Sequence, residues 1–72
     1  MDYPTFVEFC KEKIIEADPK VAKDDLDAFW QGNLMELSRM LFRVKNGMVL
    51  YQVTYNTVTE MSDVVRYNPE AL

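Results

Sequence analysis

The chain has 72 residues, 49% of them apolar, with 12 acids, 8 bases, one cysteine and no histidine. A domain of this length buries roughly 60% of its unfolded surface and is marginally stable alone. A single cysteine, two glycines and the missing histidine argue against internal disulfides, ordinary zinc sites, glycine-rich phosphate loops and histidine-based catalysis.

The net charge of −4 is unevenly spread: residues 1–36 hold nine acids and four bases, residues 37–72 three acids and four bases. An acidic first half disfavours contact with nucleic-acid phosphates or an anionic membrane, and suits a basic partner or plain solubility. No apolar run is long enough to span a bilayer, and no basic start precedes an apolar signal core. With a lone cysteine suited to a reducing compartment, the chain reads as cytoplasmic.

Residues 4–17 read as a first helix. Pro4 suits the first turn, and Thr5 with Glu8 matches a capping box. Phe6, Phe9, Cys10, Ile14 and Ala17 share one face, and Glu8, Lys11, Glu12 and Glu16 form the wet side. Cys10 is expected to be a buried structural thiol, since no histidine is present to activate it. Asp18-Pro19 marks a boundary, with Asp18 placed to cap whatever follows.

Residues 19–45 read as a second helix. Leu26, Phe29, Trp30, Leu34, Leu37, Met40, Leu41 and Val44 recur mostly at steps of three and four, the period of an amphipathic helix. Gly32 kinks or breaks it at a cost of roughly 1 kcal/mol, and Asn33 with Glu36 offers a new cap. Arg43 and Lys45 suit the negative end of a helix, and Asn46-Gly47 supplies the stop. Trp30 is expected either at the centre of the core or as a partly exposed anchor for a partner.

Residues 48–56 are ambiguous. Six of the twelve residues from 48 to 59 are Val or Thr, which favours strand. A hairpin around Asn46-Gly47 would pair Val44 with Val49, Phe42 with Tyr51 and Met40 with Val53, in conflict with a helix running through Lys45. Residues 57–66 read as a further helix, with Thr57 and Glu60 at capping-box spacing. Tyr67-Asn68-Pro69 ends it, and residues 67–72 form a tail. The expected fold is all-α, a three- or four-helix bundle. The alternative is α+β, with a hairpin at 40–45 and 48–55 packed on helices.

The side chains offer no catalytic set. Asp24, Asp25 and Asp27 lack the glycine and closing glutamate of a calcium loop, so no metal or cofactor is expected. The expected function is a non-enzymatic protein-binding accessory module, such as a phage- or plasmid-type regulator or inhibitor. It would engage a basic partner through Asp24, Asp25, Asp27 and Glu36, with Glu8, Glu12 and Glu16, around Trp30. Met35, Met40, Met48 and Met61 suit either an adaptable interface or core filling. Two alternatives stand beside it. Val53 to Val58 resembles the opening of a recognition helix, which would make 53–66 a helix-turn-helix segment, although Arg66 is its only base. The other is a structural homo-oligomer, such as a homodimer, built on 48–55 or the central stripe.

Asp2-Tyr3, Cys10, Asp24-Asp25-Leu26, Phe29-Trp30 and Leu37 together resemble the Hha/YmoA family of small helical modulators of nucleoid proteins, over a minority of the chain and with a gap. The resemblance implies a helical fold and a basic nucleoid-associated partner on the acidic face of helices one and two.

Overall fold

The structure is a computed structural model that describes residues 1–45 and 47–68. A helix, α1 (Tyr3–Ala17), is followed by a 3-10 turn at Lys23–Asp25 and four strands: β1 (Leu26–Leu34), β2 (Leu37–Val44), β3 (Leu50–Asn56) and β4 (Ser62–Tyr67). The strands form one antiparallel sheet in the order β1-β2-β3-β4, and α1 packs on one of its faces.

Asp2 caps α1 by accepting a hydrogen bond from the Thr5 N–H at 2.9 Å, with Pro4 in the first turn. The cap is therefore Asp2 rather than Thr5, and Glu8 reaches out to Lys23 instead of back along the helix. Phe6, Cys10 and Ile14 lie four residues apart, so they form one stripe. That stripe is buried against Leu26, Met40, Phe42, Tyr51 and Val53 of the sheet. At the other end the Asp18 N–H donates to the Ile14 carbonyl at 2.8 Å. The Asp18 carboxylate accepts the Tyr51 hydroxyl at 2.7 Å, so it ties helix to sheet and caps no second helix.

The all-α expectation is wrong: the protein is α+β, with one α-helix among the described residues, and is not a helical bundle. Residues 19–45, expected in a helix kinked or broken at Gly32, instead hold the 3-10 turn at Lys23–Asp25 and the β1–β2 hairpin. The hairpin turns at Met35-Glu36, where Asn33 and Glu36 were expected to start a new helix; Met35 carries a φ of 54°, which the first position of a primed two-residue turn requires. Residues 57–66, also expected helical, are a turn and β4. There the Asn56 side chain accepts from the Val58 and Thr59 N–H groups at 2.9 Å each, an Asx turn that replaces the capping box. The helical fold implied by the Hha/YmoA resemblance is absent for the same reason. The α+β alternative had the β2–β3 register right: Met40 faces Val53, Phe42 faces Tyr51, and the Val44 N–H donates to the Val49 carbonyl at 3.2 Å. It had neither β1 nor β4, and it counted more than one helix. Tyr67, expected to begin a tail at 67–72, is instead the last residue of β4; the roles expected of Asn46, of Pro69 as a stop and of the remaining tail at 69–72 lie outside the described residues.

The helix-period signal in 26–44 has a physical source. Met40 and Phe42 point to the core, while Leu37 and Leu41 sit on the opposite face, so apolar side chains occur on both sides of β2. In β1 an extra residue between Ala28 and Trp30 shifts the register, and such a bulge moves the alternation by one. Two apolar faces and a phase shift together mimic steps of three and four. Among the described residues no helix is long and apolar enough to cross a membrane.

Candidate functional site

Alternation along the strands assigns the face of the sheet opposite α1. Because Met40 and Phe42 point toward the helix, Arg39, Leu41 and Arg43 point away from it. Their cross-strand partners share that face: Gly32, Trp30 and Asp27 on β1, and Thr54, Gln52 and Leu50 on β3. Before the bulge, Leu26 and Ala28 point inward; after it, Trp30, Gly32 and Leu34 point outward. The bulge thus delivers Phe29 and Trp30, neighbours in sequence, to one open surface.

The side chains there are organised. The Trp30 indole lies across Gly32: a Cβ added at Gly32 would fall 2.6 Å from the indole Cζ2. An aromatic laid over a strand glycine covers backbone that the glycine leaves bare. Trp30 remains 48% exposed, and beside it Phe29 is 40% and Leu34 63% exposed. The Arg43 guanidinium sits 4.7 Å from the Phe29 ring centroid and 3.5 Å from an Asp27 carboxylate oxygen, so cation–π and ionic contacts hold it in place. Arg39 is different. It is half-buried between Gly32 and Thr54, and its Nε is buried with no hydrogen-bond partner among the described residues. Burying a guanidinium N–H unpaired is costly, and structures seldom leave one so.

The acids expected to form one binding surface are divided. Glu8 and Glu12 converge on the Lys23 ammonium, at 2.6 Å and 3.8 Å, and the Asp24 charge acts on the same lysine. Lys23 holds the Glu8 carboxyl below the usual range, and Glu8 raises the lysine in return. Glu16 pairs with Lys13 at 3.4 Å. Asp25 adjoins that cluster in sequence, and its carbonyl accepts the Lys45 N–H at 2.8 Å. Asp27 lies on the open face with Arg43, and Glu36 sits in the β1–β2 turn, where its carbonyl accepts from Thr57. The structure therefore gathers Glu8 and Glu12 around a cation, with Asp24 next to that lysine in sequence, and leaves Asp27 and Glu36 elsewhere. Trp30 stands apart from the cluster, on the opposite side of the sheet from α1.

Sequence reasoning missed Arg39 and Arg43 as parts of a surface. The signal that could have found them is the Trp-x-Gly spacing of 30–32, which suits a strand better than a helix. Cys10 is fully buried, and burial pushes its thiol up to about 12, so it is held as a neutral, unreactive thiol. No recognition helix exists at 53–66, since β3, the Asx turn and β4 occupy that span. Comparison with protein-family models, curated proteins and solved structures finds no match to this chain.

Proposed function

We propose that this chain is a non-catalytic protein-binding module and that its contact surface is the open face of the sheet around Trp30. The observation that carries this reading is the combination of a half-exposed indole fixed over Gly32 with the neighbouring Arg39, a half-buried guanidinium that has no hydrogen bond or ion pair among the described residues. Trp and Arg dominate interface hot spots because they bury large area and make directional bonds. The occupant that fits is a protein surface whose apolar side chains cover Phe29, Trp30 and Leu34 while a carboxylate reaches Arg39. Such a partner satisfies the guanidinium and removes the exposed apolar area in one step. The acidic side of α1 is the weaker candidate for the main contact, since Lys23 and Lys13 already offset much of its charge.

The test compares immobilised wild-type chain with Trp30→Ala, Arg39→Met and a Glu8→Gln/Glu12→Gln control in native host lysate. The reading expects a protein that the wild type and the control retain, with each open-face variant weakening binding by roughly 30-fold or more, the scale of a hot-spot residue. An empty column overturns the reading. So does a partner that survives Trp30→Ala and Arg39→Met but is lost with the two glutamates.

A further inference from the structure

β1 and β4 are the edges of the sheet, and an edge strand presents backbone N–H and C=O groups to any matching strand. Natural edges are blunted with charge, proline or bulges. β4 carries Asp63 and Arg66, and the first half of β1 carries Asp27 and the bulge. The second half, Trp30-Gln31-Gly32-Asn33-Leu34, has none of these devices.

The direction of its free backbone groups follows from the turn. The pair Leu34 and Leu37 closes the two-residue hairpin, and the closing pair of such a hairpin exchanges both backbone hydrogen bonds. Leu34, Gly32 and Trp30 therefore direct their backbone groups toward β2, and Gln31 and Asn33 direct theirs outward. The side chains of Gln31 and Asn33 are exposed on the helix side of the sheet. They line a cleft of about 390 Å³ with Met1, Tyr3 and Tyr55. Neither amide makes a hydrogen bond among the described residues.

This stretch is self-complementary about Gly32. Laid antiparallel on itself, it sets Gln31 opposite Asn33 of a second copy, with outward backbone groups meeting outward backbone groups. The same register sets the two unpaired side-chain amides opposite each other and sets Trp30 opposite Leu34 on the open face. Gly32 meets Gly32 at the two-fold, a non-hydrogen-bonded position where strands approach to about 4.5 Å between Cα atoms. Backbone parity also admits registers centred on Gln31 or Asn33, but only the one centred on Gly32 pairs both amides and sets Trp30 on Leu34. We infer that the chain forms a two-fold dimer in which β1 pairs with β1 of a second copy, centred on Gly32, to make one continuous sheet.

Light scattering from roughly micromolar to millimolar concentration tests the pairing. The wild type rises from the 8.5 kDa chain mass toward twice that value. Gln31→Glu with Asn33→Glu sets like charges opposite each other at both positions, and dissociation becomes at least about tenfold easier. Gln31→Lys with Asn33→Glu sets opposite charges there and restores the dimer, now sensitive to salt. Both positions are exposed, so circular dichroism should show all three chains folded alike. In the wild type, slow amide exchange at Gln31 and Asn33 appears on concentration and vanishes on dilution. A single-chain mass at every concentration overturns the inference. So does a dimer indifferent to the paired glutamates, or a folded Lys/Glu chain that fails to recover association. The inference does not rest on the partner reading: a monomeric result leaves the Trp30 and Arg39 test standing.

Discussion

Leu41 and Phe42 are neighbours whose fates the fold separates. Phe42 is fully buried under α1, whereas Leu41 is half-buried on the open face opposite Trp30. Phe42→Ala removes a ring from a packed core and leaves a cavity, at a cost of about 3–5 kcal/mol. Leu41→Ala removes partly solvated area with no enclosed cavity, at a cost of about 1 kcal/mol, or half of a full leucine burial. A chain of 72 residues has about 4–11 kcal/mol of stability to lose, so Phe42→Ala brings it near the unfolding threshold and Leu41→Ala does not. Urea unfolding followed by far-ultraviolet circular dichroism reads the difference. With a slope of about 1 kcal/mol per molar urea, the midpoint falls by about 3 M or more for Phe42→Ala and by about 1 M for Leu41→Ala. An amphipathic helix through this segment predicts the reverse order, because its apolar stripe includes Leu41 and omits Phe42. Equal losses, or a larger loss at Leu41, would refute the sheet assignment of β2.

The Tyr51 hydroxyl holds the Asp18 carboxyl below its ordinary range, and burial, with Asp18 as acceptor, raises Tyr51 to about 12. A lowered acid stabilises the fold above its unfolded pKa and loses that contribution as pH falls through the folded value. A raised tyrosine contributes fully below its unfolded pKa, about 10, and loses that contribution as pH rises toward 12. Tyr51→Phe should therefore flatten both limbs of the stability-versus-pH curve; curves that differ only by a constant offset would show the pair to be uncoupled. Cys10 should resist an aromatic disulfide reagent at pH 8 and react only as fast as the chain unfolds, and stoichiometric labelling within seconds in native buffer would contradict its burial.

What could be read from the residues alone was local. The first helix was legible because Phe6, Cys10 and Ile14 repeat on one face and because Asp18-Pro19 imposes a stop. The β2–β3 register is legible too, since Met40 with Val53 and Phe42 with Tyr51 pair in that alignment, but the same apolar residues also fit a helical period. The acids on the helix were correctly found on its wet side, yet nothing in their spacing shows that Lys23 comes back to meet Glu8 and Glu12.

Tertiary structure decided the rest. Among the described residues one α-helix covers one side of the four-stranded sheet, so the other side leaves Trp30 exposed and Leu37 and Leu41 half-buried, and the strands carry apolar residues on both faces. Periodicity distinguishes strand from helix only when one face is polar, and here that contrast is missing. The bulge before Trp30 removes the remaining alternation. Amino-acid order thus determined which residues are greasy and where the chain can turn, while the position of α1 over the sheet determined which greasy residues became core and which became surface.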